Sequence, residues 1–141
     1  MKKFMILALF VFMVGCSSGE QDTLDIDARA NDIIELVATD GVTDLKVVST
    51  KEGKAVIEND YCQINLFFED NKLVSVYSLS KKDKDDLYSC VFRTIFKDKD
   101  LLGDDEEKYQ QFLEMFREGK DFEFDGLKIT NNFFDMTIER K

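Results

Sequence analysis

The hydrophobic residues of this chain change their spacing at Asp40-Gly41, and that change constrains the fold more than any other feature. Before it, one apolar face recurs at intervals of four, three and four residues through Ile26, Ala30, Ile33 and Val37. This is the spacing of an amphipathic α-helix, which we expect over about residues 24–39. After the change, apolar residues recur at every second position, as in half-buried β-strands.

Alternation and turn residues divide the next stretch into four expected strands, at about 42–50, 54–57, 61–69 and 72–80. The expected turns between them are Glu52-Gly53, Asn59-Asp60 and Asp70-Asn71. Short turns between successive strands imply an antiparallel sheet.

The third and fourth strands each have an expected core face. In the third, the core face is Cys62, Ile64, Leu66 and Phe68, and the other face carries Tyr61, Gln63, Asn65 and Phe67. Tyr61, Gln63 and Asn65 are therefore candidates for a protein-binding surface. In the fourth, we expect Val74 and Val76 on one face, with Leu73, Tyr77 and Leu79 on the other.

The second half of the chain predicts two helices and then strands. A helix is expected over about 86–97, and a second after the acidic run 104–107, capped by Asp104 and ending near Gly119. Asp125-Gly126 between alternating runs predicts a tight hairpin, and 133–139 a final strand. The expected fold class is therefore α+β: an N-terminal helix on a mainly antiparallel sheet, with a helical pair inserted before the C-terminal hairpin strands.

The N-terminus has the layout of a secretory signal peptide. Lys2 and Lys3 precede an apolar run, and the small residue Gly15 follows it. The stretch from Phe4 to Gly15 holds 12 residues, whereas a membrane-spanning helix needs about 20. Its length therefore favours a cleaved signal over a transmembrane anchor.

The tetrapeptide Met13-Val14-Gly15-Cys16 resembles the lipobox of bacterial lipoproteins. The resemblance implies cleavage before Cys16, a diacylglycerol on its thiol, and often a further acyl chain such as palmitate. It implies a lipid anchor on the extracytoplasmic side of the cell membrane, or in the outer membrane of a Gram-negative organism, because Ser17 is not aspartate. The expected organisation is a signal peptide at 1–15, the lipidated cysteine and a polar tether at 16–23, and one domain at 24–141.

Composition excludes several classes of function. Removal of Lys2 and Lys3 with the signal peptide lowers the formal charge from −10 to −12, which argues against nucleic acid as a partner. The chain has no histidine, which removes Ser-His-Asp and Cys-His catalysis and every His-ligated metal site. We therefore expect a protein that is not an enzyme and that has no cofactor.

Cys62 and Cys90 remain once Cys16 carries lipid. An extracytoplasmic location allows a disulfide between them. Cys62 belongs to the core face of its strand, but Cys90 falls about 150° from the centre of the apolar stripe of its helix. Two free cysteines are therefore the expected state, with a Cys62–Cys90 disulfide as the alternative.

The segment from Asp98 to Gly103 has the appearance of a calcium loop. An EF-hand needs a ligand at position five and glutamate at position twelve, where this chain has Leu102 and Tyr109. An acidic helix cap explains these residues better, and no metal site is predicted.

Three functions remain open at this point. The first is a non-catalytic lipoprotein that binds a protein or an envelope component, and the second is a carrier or sensor with an apolar small molecule between sheet and helices. Aromatic residues that could line such a cavity are Phe67, Phe68, Tyr77, Phe92, Phe112, Phe116, Phe133 and Phe134. The third is a hydrolase with paired carboxylates, for which no pair stands out. In element order alone, the chain resembles small cystatin-like lipoproteins of bacteria.

Overall fold

The computed structural model describes residues 18–81, 93–131 and 135–141, and side chains within 25–130 and 136–141 of those ranges. The predicted α+β class is confirmed. The elements are α1 Ser18–Ala38, β1 Lys46–Lys51, β2 Lys54–Glu58, β3 Cys62–Glu69, β4 Lys72–Ser80, α2 Glu106–Arg117, β5 Phe122–Phe124, β6 Leu127–Asn131 and β7 Asp135–Arg140. Residues 93–95 are also helical, and most of the helix expected over 86–97 lies outside the described residues.

The seven strands form one antiparallel sheet in the order β1-β2-β3-β4-β7-β6-β5. β1 and β5 are therefore its two edge strands. The first four strands follow the chain as the predicted meander, and β7 inserts between β4 and the C-terminal hairpin.

Helix α1 begins at Ser18, six residues before the expected start, and so includes most of the expected tether. Glu20, Gln21 and Leu24 are strong helix formers. The prediction of a tether gave more weight to the polar composition of this stretch than to this helix propensity. The predicted apolar face of α1 is confirmed: Ile26, Ala30, Ile33 and Val37 are buried in the core. This face contacts β1 and β2.

A bulge in β4 changes which of its residues face the core. Leu73 pairs with Phe68 and Ser75 with Phe67, so Val74 is an extra residue in the ladder. A bulge of this kind shifts the alternation by one position. Leu73 and Val76 consequently share the core face, both fully buried, and the prediction that they lie on opposite faces was wrong.

Helix α2 closes the other end of the same core. Its Phe112 ring is buried among aromatic neighbours, with ring centroids 3.8 Å from Phe96 and 5.6 Å from both Phe116 and Phe122. The N-cap is Asp105, whose side chain accepts a hydrogen bond from the backbone N–H of Lys108, and not the expected Asp104. The helix-facing residues of the sheet join both helices in one apolar cluster.

The predicted Asp-Gly hairpin is confirmed. Asp125 and Gly126, between β5 and β6, both have positive φ, at 49° and 76°. That geometry is the two-residue turn whose twist matches the flanking strands.

Candidate functional site

A half-open groove of about 610 Å³ lies at one end of the first four strands. Its walls include Lys46 where β1 starts, Glu58 where β2 ends, Tyr61 just before β3 and Lys81 just after β4. The connecting segments between these strands complete it. The groove is therefore built from strand ends at one edge of the fold, outside the layer between sheet and helices.

Two apolar side chains are exposed in this groove. Val48 is 51 % exposed and Tyr61 is 38 % exposed. Within the described ranges, these two are the large hydrophobic side chains that are exposed to solvent. Val48 lies where the β1–β2 register shifts between Val47 and Ser49. Val47 packs against the core, so Val48 lies on the outer face of this edge strand, where no further strand covers it.

Polar contacts hold the floor of the groove in place. The Asn59 side-chain oxygen accepts hydrogen bonds from the backbone N–H groups of Tyr61 and Cys62, each at 2.9 Å. Lys81 Nζ donates to Glu58 Oε2 and to the Asn59 carbonyl oxygen, also at 2.9 Å. Tyr61 is thus presented by a fixed turn. A groove that combines fixed polar groups with exposed apolar side chains can recognise a partner surface.

A second cluster of charged residues joins the middle of α1 to the segment at 98–100. Arg29 Nη2 is 2.8 Å from Asp98 Oδ1 and 2.8 Å from Asp100 Oδ2, and the three side chains are 11, 5 and 14 % exposed. Asp100 Oδ2 also accepts the backbone N–H of Leu73 at 2.9 Å. The guanidinium of Arg140 donates to the Asp100 carbonyl oxygen. We call Arg29, Asp98 and Asp100 the arginine clasp.

The electrostatics of the clasp are those of a structural ion pair. Burial acts to raise the pKa of Asp100, but the hydrogen bonds from Leu73 and Arg29 outweigh it, so this pKa lies below its ordinary value. Burial likewise acts to lower the pKa of Arg29, and the two carboxylates reverse this and raise it. A general acid needs a raised carboxyl pKa. The two carboxylates therefore converge on a cation and do not form an acid–base pair.

Sequence reasoning missed the clasp. The sequence pattern predicts an acidic helix cap for the segment that begins at Asp98, and it does not single out Arg29. One signal in the sequence could have revealed it. Two carboxylates stand beside apolar Leu101 and Leu102, and both leucines are buried. Carboxylates that are buried with such a segment require a cation.

The predicted site residues fall in different places. Cys62 is buried, and burial raises the pKa of its thiol to about 11. Cys16 and Cys90 lie outside the described residues, so the lipidation and the possible Cys62–Cys90 disulfide stay predictions.

Asn65 does not belong to an exposed surface, contrary to expectation. It is 6 % exposed, because Val56 and Tyr77 flank it on the neighbouring strands of the same face. Of the expected surface trio, Gln63 is partly exposed and Tyr61 exposed.

The aromatic residues expected around a cavity separate to the two faces of the sheet. Phe68 and Phe112 are in the helix-covered core, whereas Phe67, which stacks under Lys54 with Nζ 5.2 Å from the ring centroid, and Tyr77 lie on the other face. Phe92, Phe133 and Phe134 lie outside the described residues.

No described helix is both long enough and apolar enough to cross a membrane. Within the same ranges, no group of three cysteine, aspartate or glutamate side chains is arranged to hold a metal ion.

No protein-family model, curated protein or solved structure matches the chain.

Proposed function

We propose that this protein is a lipid-anchored extracytoplasmic lipoprotein that binds another protein through the groove at the start of β1. The observation that carries the proposal is the presence of Val48 and Tyr61 in one groove. Exposed apolar side chains within a polar rim are the usual composition of a protein-binding surface, and Tyr is among the residues that contribute most to binding energy.

The position of the groove relative to the anchor supports this function. Asp25, in the N-terminal half of α1, accepts a hydrogen bond from Asn71 in the β3–β4 turn, whereas the groove lies at the other end of β3, next to Tyr61. The 8 residues of β3 span about 27 Å. An anchor at Cys16 therefore leaves the groove on the side of the domain directed away from the bilayer.

Site-specific photocrosslinking in living cells tests the proposal. A photoreactive residue replaces Val48 or Tyr61 in the full-length protein, and a matched variant carries it at Glu118, which is exposed at the end of α2. We expect a discrete adduct from the two groove positions and none from position 118. A Tyr61→Ala change in the Val48 crosslinking variant should weaken the adduct, because it removes a neighbouring contact.

Equal adducts from all three positions, or an adduct that does not depend on Tyr61, would contradict binding in the groove. A Cys16→Ser variant tests the anchor separately. We expect it to lose incorporation of a fatty-acid probe and to leave the lipid-anchored membrane fraction; retained labelling would contradict lipidation at Cys16.

A further inference from the structure

We propose that the partner binds by adding an extended, acidic segment as a new strand to the edge of β1. This inference rests on the proposed function and names the class of partner. A strand-addition mode uses main-chain hydrogen bonds for affinity and nearby pockets for side-chain selectivity.

β1 is the more accessible of the two sheet edges. It has 6 residues and pairs on one side with β2 only. In the described ranges, no backbone hydrogen bond links residues 46–51 to any segment other than β2. The opposite edge, β5, has only 3 residues. An edge strand presents unpaired N–H and C=O groups that another chain can use.

The charge of β1 selects an acidic partner. The strand Lys-Val-Val-Ser-Thr-Lys carries Lys46 and Lys51 and no acid, in a chain of formal charge −10. On β2, Lys54 lies directly opposite Lys51, and Glu58 lies opposite Lys46 but forms its ion pair with Lys81. Neither Lys46 nor Lys51 forms an ion pair with a residue that the structure describes. Carboxylates placed opposite these lysines in an added strand would be favourable cross-strand pairs.

The same lysines disfavour a second copy of this chain as the occupant. An in-register antiparallel pair of β1 strands would place Lys46 of one copy opposite Lys51 of the other at both ends. A parallel pair would place like lysines side by side. Like charges directly opposite one another destabilise a strand pair, and lysines on an edge are a common protection against self-association.

The groove lies directly beside the exposed edge of β1. Lys46 and Val48 belong to β1 and also line the groove. A strand added to β1 can therefore direct alternate side chains past Val48 and toward Tyr61. The bulge at Val48 limits regular pairing, so we expect a partner segment no longer than the 6 residues of β1.

The test uses fluorescent peptides and the full-length protein, purified from membranes into nanodiscs. One peptide alternates valine and threonine between terminal glutamates, and a second has lysine in place of each glutamate. Two further versions of the first peptide are N-methylated at odd or at even residues, which removes N–H donors without changing side chains. We expect the glutamate peptide to bind more tightly than the lysine peptide. Of the two N-methylated peptides, one should lose binding and the other should retain it.

Protein variants complete the test. Lys46→Glu with Lys51→Glu should weaken binding of the glutamate peptide by about tenfold, whereas Lys72→Glu with Lys120→Glu, a charge-matched control at exposed positions, should leave it within about twofold. Three results would overturn the strand addition. They are equal binding of the two N-methylated peptides, equal binding of the glutamate and lysine peptides, and a dimer of this protein that forms through β1. If crosslinks from Val48 and Tyr61 persist in that case, protein binding in the groove stands; if they are absent as well, the proposed function fails.

Discussion

At the scale of single residues, Arg29 connects three separate parts of the chain. Its Nη2 atom bonds both Asp98 and Asp100, and Asp100 in turn accepts the N–H of Leu73 in β4. The arginine Nε is buried without a hydrogen-bond partner among the described residues. The clasp thus fixes the segment at 98–103 against both α1 and the sheet, and its partners depend on one another.

Replacement of Arg29 by alanine should reduce the free energy of unfolding by about 3 kcal/mol, because two carboxylates would remain buried without a cation. Denaturant unfolding of purified protein measures the change. Arg29→Lys should recover part of the loss, since both bonds come from one nitrogen atom. The matched control is Lys108→Ala, at the exposed ion pair with Asp125, which should cost clearly less because solvent screens an exposed pair. Equal losses at positions 29 and 108 would show that the clasp contributes no more than a surface pair.

The lowered pKa of Asp100 predicts the pH dependence of this contribution. In the unfolded chain the carboxyl takes up its proton near its ordinary value of 3.8, and in the folded protein only at lower pH. The stabilisation is therefore present above the ordinary value and is lost as the pH falls through the folded value. The difference in free energy of unfolding between wild type and Asp100→Asn should shrink from about pH 6 to about pH 3. A difference that is constant over that range would contradict the assignment.

At the scale of elements, the turns show how far local sequence determines this fold. Gly53 has a φ of +69° between β1 and β2, and its carbonyl oxygen accepts the N–H of Phe68 at 2.8 Å. An added Cβ at this position would lie 3.3 Å from the Phe68 carbonyl oxygen. This turn is therefore held against β3 as well as shaped by its own backbone.

Gly53→Ala should destabilise the protein more than Gly126→Ala does. Both positions have positive φ, which costs about 1 kcal/mol for alanine, but a Cβ at Gly126 meets no atom within 4 Å. Thermal or denaturant unfolding of the two variants measures the difference. Equal destabilisation would mean that the contact with Phe68 relaxes without cost.

Turns and most strand boundaries were predictable here because alternation and turn residues act over a few residues. The start of the first strand was predicted wrongly: it was expected at residue 42, but β1 begins at Lys46, and Val42 and Leu45 are buried in the connection from α1. β4 has the bounds that its sequence predicts, and Asp125-Gly126 forms the expected turn. The bulge at Val74 was not predictable, because it depends on the register with β3. For the same reason the exposure of Val48 and the clasp at Arg29 depend on long-range contacts. The groove could be anticipated only through Tyr61.

At the scale of the whole molecule, one face of the sheet carries both helices, and the groove and the start of α1 lie at opposite ends of β3. One residue, Ser17, separates Cys16 from Ser18 in the sequence, so the Cα atoms of Cys16 and Ser18 are at most about 7 Å apart. The proposed anchor is thus close to the start of a helix that runs along the domain.

Distance from the bilayer tests this orientation. A fluorophore attached at position 71, in the β3–β4 turn, should transfer energy to headgroup-labelled lipid more efficiently than one attached at position 61. Both measurements use the anchored protein in vesicles, and a Cys16→Ser protein that is no longer anchored serves as the control. Equal or reversed efficiencies would contradict a groove directed away from the membrane.

The 21 residues of α1 give it a length of about 31 Å. In the proposed lipid-anchored state, this helix, which packs along the sheet, sets the height at which the groove meets its surroundings. A partner embedded at the membrane surface would be out of reach, while one that extends from the membrane or approaches from the opposite side would meet the groove at that height. Insertions or deletions before Ser18 should therefore change which partners are captured without changing the groove itself.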